Sequence, residues 1–292
     1  MTSRVAIATI ALILAIGTIA GPTANAAGTT GSFAVLAGTA VDCTTSTIDG
    51  DVGIYPGTAF TPSTCVFGTV HAGDGVAQQA VQAFLAQYAR LAALKCDDNF
   101  AVATLASRTF TPGVYCFDAA LTLTNVTLTL EGPANGSWIF KIGTGGTGAL
   151  TSTNSSVVMA GAGNPCNVTW WTDEAATITD SEAGTPHPWA GSILAGTAIS
   201  MTGAAGDRLT FAGNAFAKTA VTMTDVTLTG CEGSTGNGHG NGNGKDKQKC
   251  NQGVGNGPEL CDPGNSNQGD PSRSNDELGG TPGNPGRRGG NK

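Results

Sequence analysis

The sequence predicts a mainly β chain wound as a three-sided β-helix, with one long α-helix lying alongside. Three observations point there. Near-copies of one segment recur every 22 to 23 residues, one coil divides into three short strands, and a single stretch switches to helical periodicity. A period of that size marks a stacked solenoid, in which each unit buries its apolar face only against its neighbours.

The clearest copies are residues 191–202, GSILAGTAISMT, and residues 213–224, GNAFAKTAVTMT. Residues 168–179 precede them at an offset of 23, residues 113–124 form an earlier copy, and residues 136–153 a looser one. Residues 35–44 match residues 193–202 closely although the helix separates the two. In one coil the three strands read 113–117, 120–124 and 126–130.

The helix is expected over residues 74–95. Ala77, Ala80, Val81, Phe84, Tyr88, Leu91 and Ala92 recur at three- and four-residue steps, with Gln78, Gln82, Gln87 and Arg90 among the polar positions. Asp74 suits the N-cap or the first turn. Such a one-faced helix lies against a flat surface, and its stripe reads as structural.

Composition bounds the rest. The chain has 292 residues, 44 Gly, 8 Cys, only 12% charged residues and a net charge of −7. That balance argues against a nucleic-acid partner. Residues 1–26 resemble a secretory signal: Arg4, an apolar run over 5–19, Pro22, then Ala24-Asn25-Ala26 as a cleavage site. No second apolar run is long enough to span a membrane once this segment is removed. Residues 27–231 form the solenoid. Residues 232–292 are Gly/Asn/Pro-rich and carry seven basic and seven acidic residues, so the whole net charge sits in the rest of the chain. This tail is expected to be flexible, a candidate tether to a cell surface or extracellular polymer. His239 within it reads as a linker residue.

Export makes the cysteines readable as disulfides. Nearest-neighbour pairing joins Cys43 to Cys65, Cys96 to Cys116, Cys166 to Cys231 and Cys250 to Cys261, although sequence alone leaves the connectivity open. No C-x-x-C or His pair has metal-ligand spacing, and no cofactor is expected.

The second strand of each unit alternates hydroxyl and apolar residues. The hydroxyl sets are Thr122/Thr124, Thr151/Thr153, Thr177/Thr179, Ser200/Thr202 and Thr222/Thr224. Between or before them lie Leu121/Leu123, Ile178, Ile199/Met201 and Val221/Met223. Alternation turns the apolar set inward and the hydroxyl set outward, and stacking spaces the hydroxyls about 4.7–4.9 Å apart. Thr127/Thr129 and Thr227/Thr229 mark a rival face on the third strand.

Several motifs together resemble the microbial ice-binding protein family. They are SFAVLAG over 32–38, IDGDVG over 48–53, Pro56-Gly57, HAGD over 71–74, TPGVY over 111–115, Trp138-Ile-Phe140, CNVTW over 166–170 and AKTAVT over 217–222. The resemblance covers about residues 32–231. It implies a discontinuous, right-handed, three-faced β-solenoid whose N-terminal coil packs beside the C-terminal coils, flanked by the helix. It also implies adsorption to ice. The short span from Thr44 to His71 leaves little room for the extra capping subdomain of some members, with Cys43 and Cys65 as a fastener instead. Thr197-Ala-Ile-Ser200 and Thr219-Ala-Val-Thr222 resemble a Thr-Ala/Gly-x-Thr/Asn pattern of the family's ice-binding faces, and Thr39-Ala-Val-Asp42 departs from it only at its last position.

The function expected is thus ice adsorption by a secreted monomer, through a rigid face whose threonine χ1 angles are restricted by β-branching. Two other readings compete. A cell-surface or matrix adhesin could bind carbohydrate, with Trp170, Trp171 and Trp189 stacking on sugars if exposed. A polysaccharide-active β-helix enzyme would need clustered acids. Asp173, Glu174, Asp180 and Glu182 with His187 are the only candidates, in one coil, and read as surface solvation rather than a calcium site. Sequons at Asn125, Asn135, Asn154 and Asn167 matter only where the host glycosylates. His71 reads as a turn residue before the helix.

Overall fold

The computed structural model describes residues 32–231. The signal segment, the tail, Cys250, Cys261 and His239 lie outside the described residues. Within them, every pairing between named strands is parallel, and the strands stack into the sides of a three-sided solenoid.

The first side is a nine-stranded sheet. In spatial order it runs Val70–Ala72, Asp51–Ile54, Phe33–Ala37, Ala215–Ala217, Ser192–Ala195, Val168–Thr172, Trp138–Ile142, Gly113–Phe117 and Asp98–Phe100. The second side is a seven-stranded sheet in the order Leu121–Thr124, Leu150–Thr153, Ala176–Thr179, Ile199–Thr202, Ala220–Thr224, Ala40–Thr44 and Ala59–Ser63. The third side is split in two. Three strands, Ser156–Gly161, Thr127–Gly132 and Arg108–Phe110, form one sheet. Trp189–Ala190, Leu209–Ala212, Val226–Thr229 and Thr47–Asp49 form the other.

The order of strands is not the order of the chain. Leu36 pairs with Phe216 and Val41 with Val221, so the N-terminal coil sits directly on the last C-terminal coil. Residues 47–66 add a further regular coil beyond it, held by the Cys43–Cys65 disulfide. The chain then returns along the stack as the helix Gly75–Ala92, which at 1.5 Å per residue covers about 27 Å. Cys96–Cys116 fastens the far end, and Cys166–Cys231 secures the close of the last coil. These three disulfides follow nearest-neighbour pairing.

The helix covers the nine-stranded sheet because that sheet turns large apolar residues outward. Ala80, Val81, Phe84, Tyr88 and Leu91 pack on Phe33, Leu36, Ile139, Trp171, Leu194 and Phe216. Two of the side chains expected on its faces exchange roles. Ala92 is exposed, while Gln87 is buried. Gln87 lies one turn beyond Phe84, inside the wide strip that a flat sheet contacts. Both ends are tied. Asp74 accepts the Ala77 amide and the His71 Nδ1 contact, each at 2.8 Å. The Ala77 amide first, and then His71, hold the Asp74 carboxyl below its ordinary range. At the other end Lys141 donates to the carbonyls of Ala92 and Leu94, at 2.8 and 2.7 Å. Burial lowers the Lys141 pKa, but the last-turn carbonyls give its ammonium partners. Tyr88 donates to the Thr172 carbonyl and accepts at its own carbonyl from the Trp171 indole.

Inside the middle coils the inward apolar residues form an aromatic stack. Tyr115, Phe140 and Trp170 are stacked with centroids 5.4 and 4.1 Å apart, and Trp189 follows at 4.9 Å. Trp170, Trp171 and Trp189 are all buried, and so offer no platform for sugars.

Candidate functional site

The seven-stranded sheet carries two straight outward columns. In the first, Thr122, Thr151, Thr177, Ser200 and Thr222 are register partners from coil to coil. In the second, Thr124, Thr153, Thr179, Thr202 and Thr224 are aligned the same way. The N-terminal coils extend both. Asp42 and Thr61 continue the first column after Thr222, and Thr44 and Ser63 continue the second after Thr224. At the other end a bridge places Thr104 beside Thr122. None of these hydroxyl residues is buried.

Thr197 and Thr219 are not in either column. They stand exposed at the edge of the sheet, where the backbone amide of Thr219 bonds to the Thr197 carbonyl and that of Thr39 to Thr219. Thr58 occupies the same place in the next coil. Its segment Thr58-Ala-Phe-Thr61 repeats Thr219-Ala-Val-Thr222, a signal that Pro62 and the short coil obscure in sequence. At this edge the coils approach closely. A Cβ on Gly196 would stand 1.7 Å from the Asp173 carbonyl oxygen and 2.7 Å from the Tyr88 hydroxyl.

The opposite edge explains the acids that follow the second column. Asn125, Asn154, Asp180, Gly203, Asp225, Thr45 and Thr64 form a corner column. In all but Thr64, which closes the column, the amide bonds to the second-column carbonyl of the next coil. Asn125, Asn154, Asp225, Thr45 and Thr64 are left-handed there, with φ between 48° and 55°. Asn and Asp tolerate that region well; threonine does not. Asp225 therefore turns the chain, Asp180 sits at the same corner without the left-handed backbone, and neither stands in a hydroxyl column.

The acidic coil brings Asp180, Glu182 and His187 together but leaves Asp173 and Glu174 apart from them. Asp173 and Glu174 lie before the strand Ala176–Thr179, and Asp180 and Glu182 after it. Four extended residues hold the pairs about 13 Å apart. Asp180 is buried and accepts from the His187 ring at 2.9 Å and from the amides of Glu182 and His187. Asn154 accepts from Ser181, and Asp207 from the Gly184 amide. The loop over 180–188 is thus stapled down where the third side splits. The bond from the Val157 amide to the Pro188 carbonyl bridges the two sheets there, and the regular ladder of the rival face is otherwise interrupted. Thr127 and Thr129 lie in one sheet and Thr227 and Thr229 in the other, with Asp49 paired to Thr229 and Glu131 paired to Ala160.

Among the described residues, no group of three or more His, Cys, Asp or Glu residues is placed to hold a metal ion. Nor is any described helix long and apolar enough to cross a membrane.

A β-solenoid with one side covered by a helix and another bearing an array of hydroxyl residues broken only by Asp42 defines a class of rigid surface-bearing protein. A family model described as ice-binding-like matches residues 35–229, and the chain belongs to that family. It is 35% identical over 180 residues to an ice-binding protein of Nostoc sp. (strain HG1), covering 60% of this chain and 63% of that protein. The chain thus spans a little under two thirds of that relative's length. An ice-binding protein of Flavobacterium frigoris (strain PS1) is 29% identical over 220 residues, covering 69% of this chain and 75% of its own. Among solved structures, an ice-binding protein from the Antarctic ascomycete Antarctomyces psychrotrophicus superposes with a TM-score of 0.60 at 29% identity, over 69% of this chain and 96% of that one.

Proposed function

We propose that the protein adsorbs to ice through the outward face of the seven-stranded sheet. The observation that carries this reading is the pair of in-register hydroxyl columns, continuous across coils from both ends of the chain. Each threonine offers a methyl group that orders adjacent water and a hydroxyl that anchors it. The backbone ladder and restricted χ1 angles fix the array before contact, so little entropy is lost on adsorption. The second sheet runs through seven strands with Asp42 as the one acid in its columns, whereas the third side is divided into two sheets and the first side is occupied by the helix. This difference favours the second side, with Thr197 and Thr219 at its rim.

The proposal includes secretion after removal of residues 1–26, a monomeric solenoid over 27–231, and the Gly/Asn/Pro-rich tail 232–292 as a tether to a cell surface or polymer. The three disulfides suit an oxidising compartment. Adsorption needs no cofactor and no catalytic step. Fluorescently labelled protein is expected to enter a growing single-crystal ice hemisphere on defined planes, with measurable freezing hysteresis. Thr222→Tyr should remove most of that hysteresis while circular dichroism stays native, because a ring would stand above the flat array. An absence of hysteresis at high concentration with an intact fold would sink the proposal. Hysteresis undiminished in Thr222→Tyr would mean that another face binds.

A further inference from the structure

The two columns comprise fifteen positions, counting Thr104 at one end and Thr61 and Ser63 at the other. Fourteen hold threonine or serine, and the exception is Asp42. It lies well inside the array rather than at its rim. Thr222 and Thr61 flank it across the strands, and Ala40 and Thr44 flank it along its own strand, on the same face. Asp42 is exposed and makes no side-chain hydrogen bond or ion pair among the described residues. The salt bridges there belong to His71 and His187, and Lys218, at the edge of the sheet, lies over the Tyr88 ring.

A hydroxyl both donates and accepts, so it can stand in for a water within a lattice of waters that do both. An ionised carboxylate only accepts. Every water in its first shell turns a hydrogen toward it, an arrangement that the hydroxyls beside it do not impose. Adsorbing the face to a lattice must strip or distort that shell, and no described residue pairs with the carboxylate.

We propose that Asp42 is the residue that limits the strength of adsorption on this face. It divides the array between Thr222 and Thr61 and weakens the contact where the N- and C-terminal coils meet. This inference rests on the ice-binding reading of the seven-stranded sheet. Its position on an exposed strand surface makes Asp42→Thr compatible with the fold, since threonine already fills the same register in the coils on both sides.

The test compares freezing hysteresis of the full chain, Asp42→Thr, Asp42→Asn and the double variant Asp42→Thr/Thr222→Tyr at equal concentration, with thermal melts as a check on folding. Asp42→Thr is expected to raise hysteresis several-fold, and Asp42→Asn, which removes charge but keeps shape, to raise it less. The double variant should lose the gain. An active parent with an unimproved, folded Asp42→Thr overturns this inference and leaves the ice-binding reading standing. Should Asp42→Thr not fold, Asp42→Ser takes its place with the same expectation. If parent and variants are all inactive, both proposals fail. A gain that survives Thr222→Tyr would place it on another surface and overturn the role of Asp42.

Discussion

The helix-covered sheet and the threonine-bearing sheet are built by the same coils and differ in what they turn outward. On the first, Trp171, Leu194, Phe216 and Leu36 are successive register partners, and the helix lies across them. On the second, the corresponding rows are Thr or Ser with the one exception of Asp42, and no part of the described chain covers them. The inward halves of both sheets are alike in being buried and mostly apolar, with Ser152 and Thr172 as polar exceptions. A parallel ladder therefore supplies rigidity to either side, and the outward side chains decide whether that rigid surface holds a helix or stays open to solvent.

This contrast can be broken at its apolar side first. Phe84 is fully buried between the helix and the sheet, beside Tyr88 and Phe216. Phe84→Ala should cost about 3–5 kcal/mol in denaturant unfolding, the range for deleting a buried ring. Lys141→Met leaves the carbonyls of Ala92 and Leu94 without their donor, and should cost about 1–3 kcal/mol by the same measurement. At the corner of the threonine-bearing sheet the sign reverses. Thr64 holds φ 55°, a left-handed conformation that β-branching disfavours, while Asn125 and Asn154 fill the same corner in other coils. Thr64→Asn should stabilise by about 1 kcal/mol in thermal or chemical melts.

A smaller effect concerns acid. The Asp74 carboxyl is held below its ordinary pKa by the Ala77 amide and His71, so its contribution is complete above pH 3.8 and lost as pH falls through its lowered value. In Asp74→Asn that part of the acid limb should flatten in pH-dependent melts. The smallest stability change is expected on the open face itself. Thr222→Tyr should stay within about 0.5 kcal/mol of the parent, as exposed substitutions usually do. A large destabilisation there would mean that the face is less open than its exposure indicates.

Much of this was legible in the sequence, for identifiable reasons. Successive coils repeat both their apolar and hydroxyl positions even where their spacing departs from 22 residues, so the columns from Thr122 to Thr224 follow from alternation. The helix followed from its stripe, except that Gln87 and Ala92 traded places because a flat sheet contacts a wider strip than the apolar residues mark. The ends of the columns were less visible. Thr44, Thr61 and Ser63 join through pairings with residues far along the chain, and Thr104 through a single bridge. The hydroxyls of the third strand look equivalent in sequence to those of the second. Only the stapled loop over 180–188, whose bonds link Asp180 to His187 and Asn154 to Ser181, reveals that their sheet is broken. Likewise, Asp180 reads in sequence as a solvated surface acid until its corner hydrogen bonds are seen.

The place where the two ends of the chain meet has a consequence for how the molecule comes into being. The Val226 amide bonds to the Ser46 hydroxyl across 180 residues, and the strand Ala40–Thr44 has Ala220–Thr224 as its neighbour. During synthesis the first coil emerges early, yet one flank of each of its strands stays unpaired until the last coil is made. Closing contacts over such a separation is slow, because the entropy of a long loop is lost before the pairing rewards it. The final rungs of the ladder are therefore the last to assemble, and they are the rungs that contain Asp42.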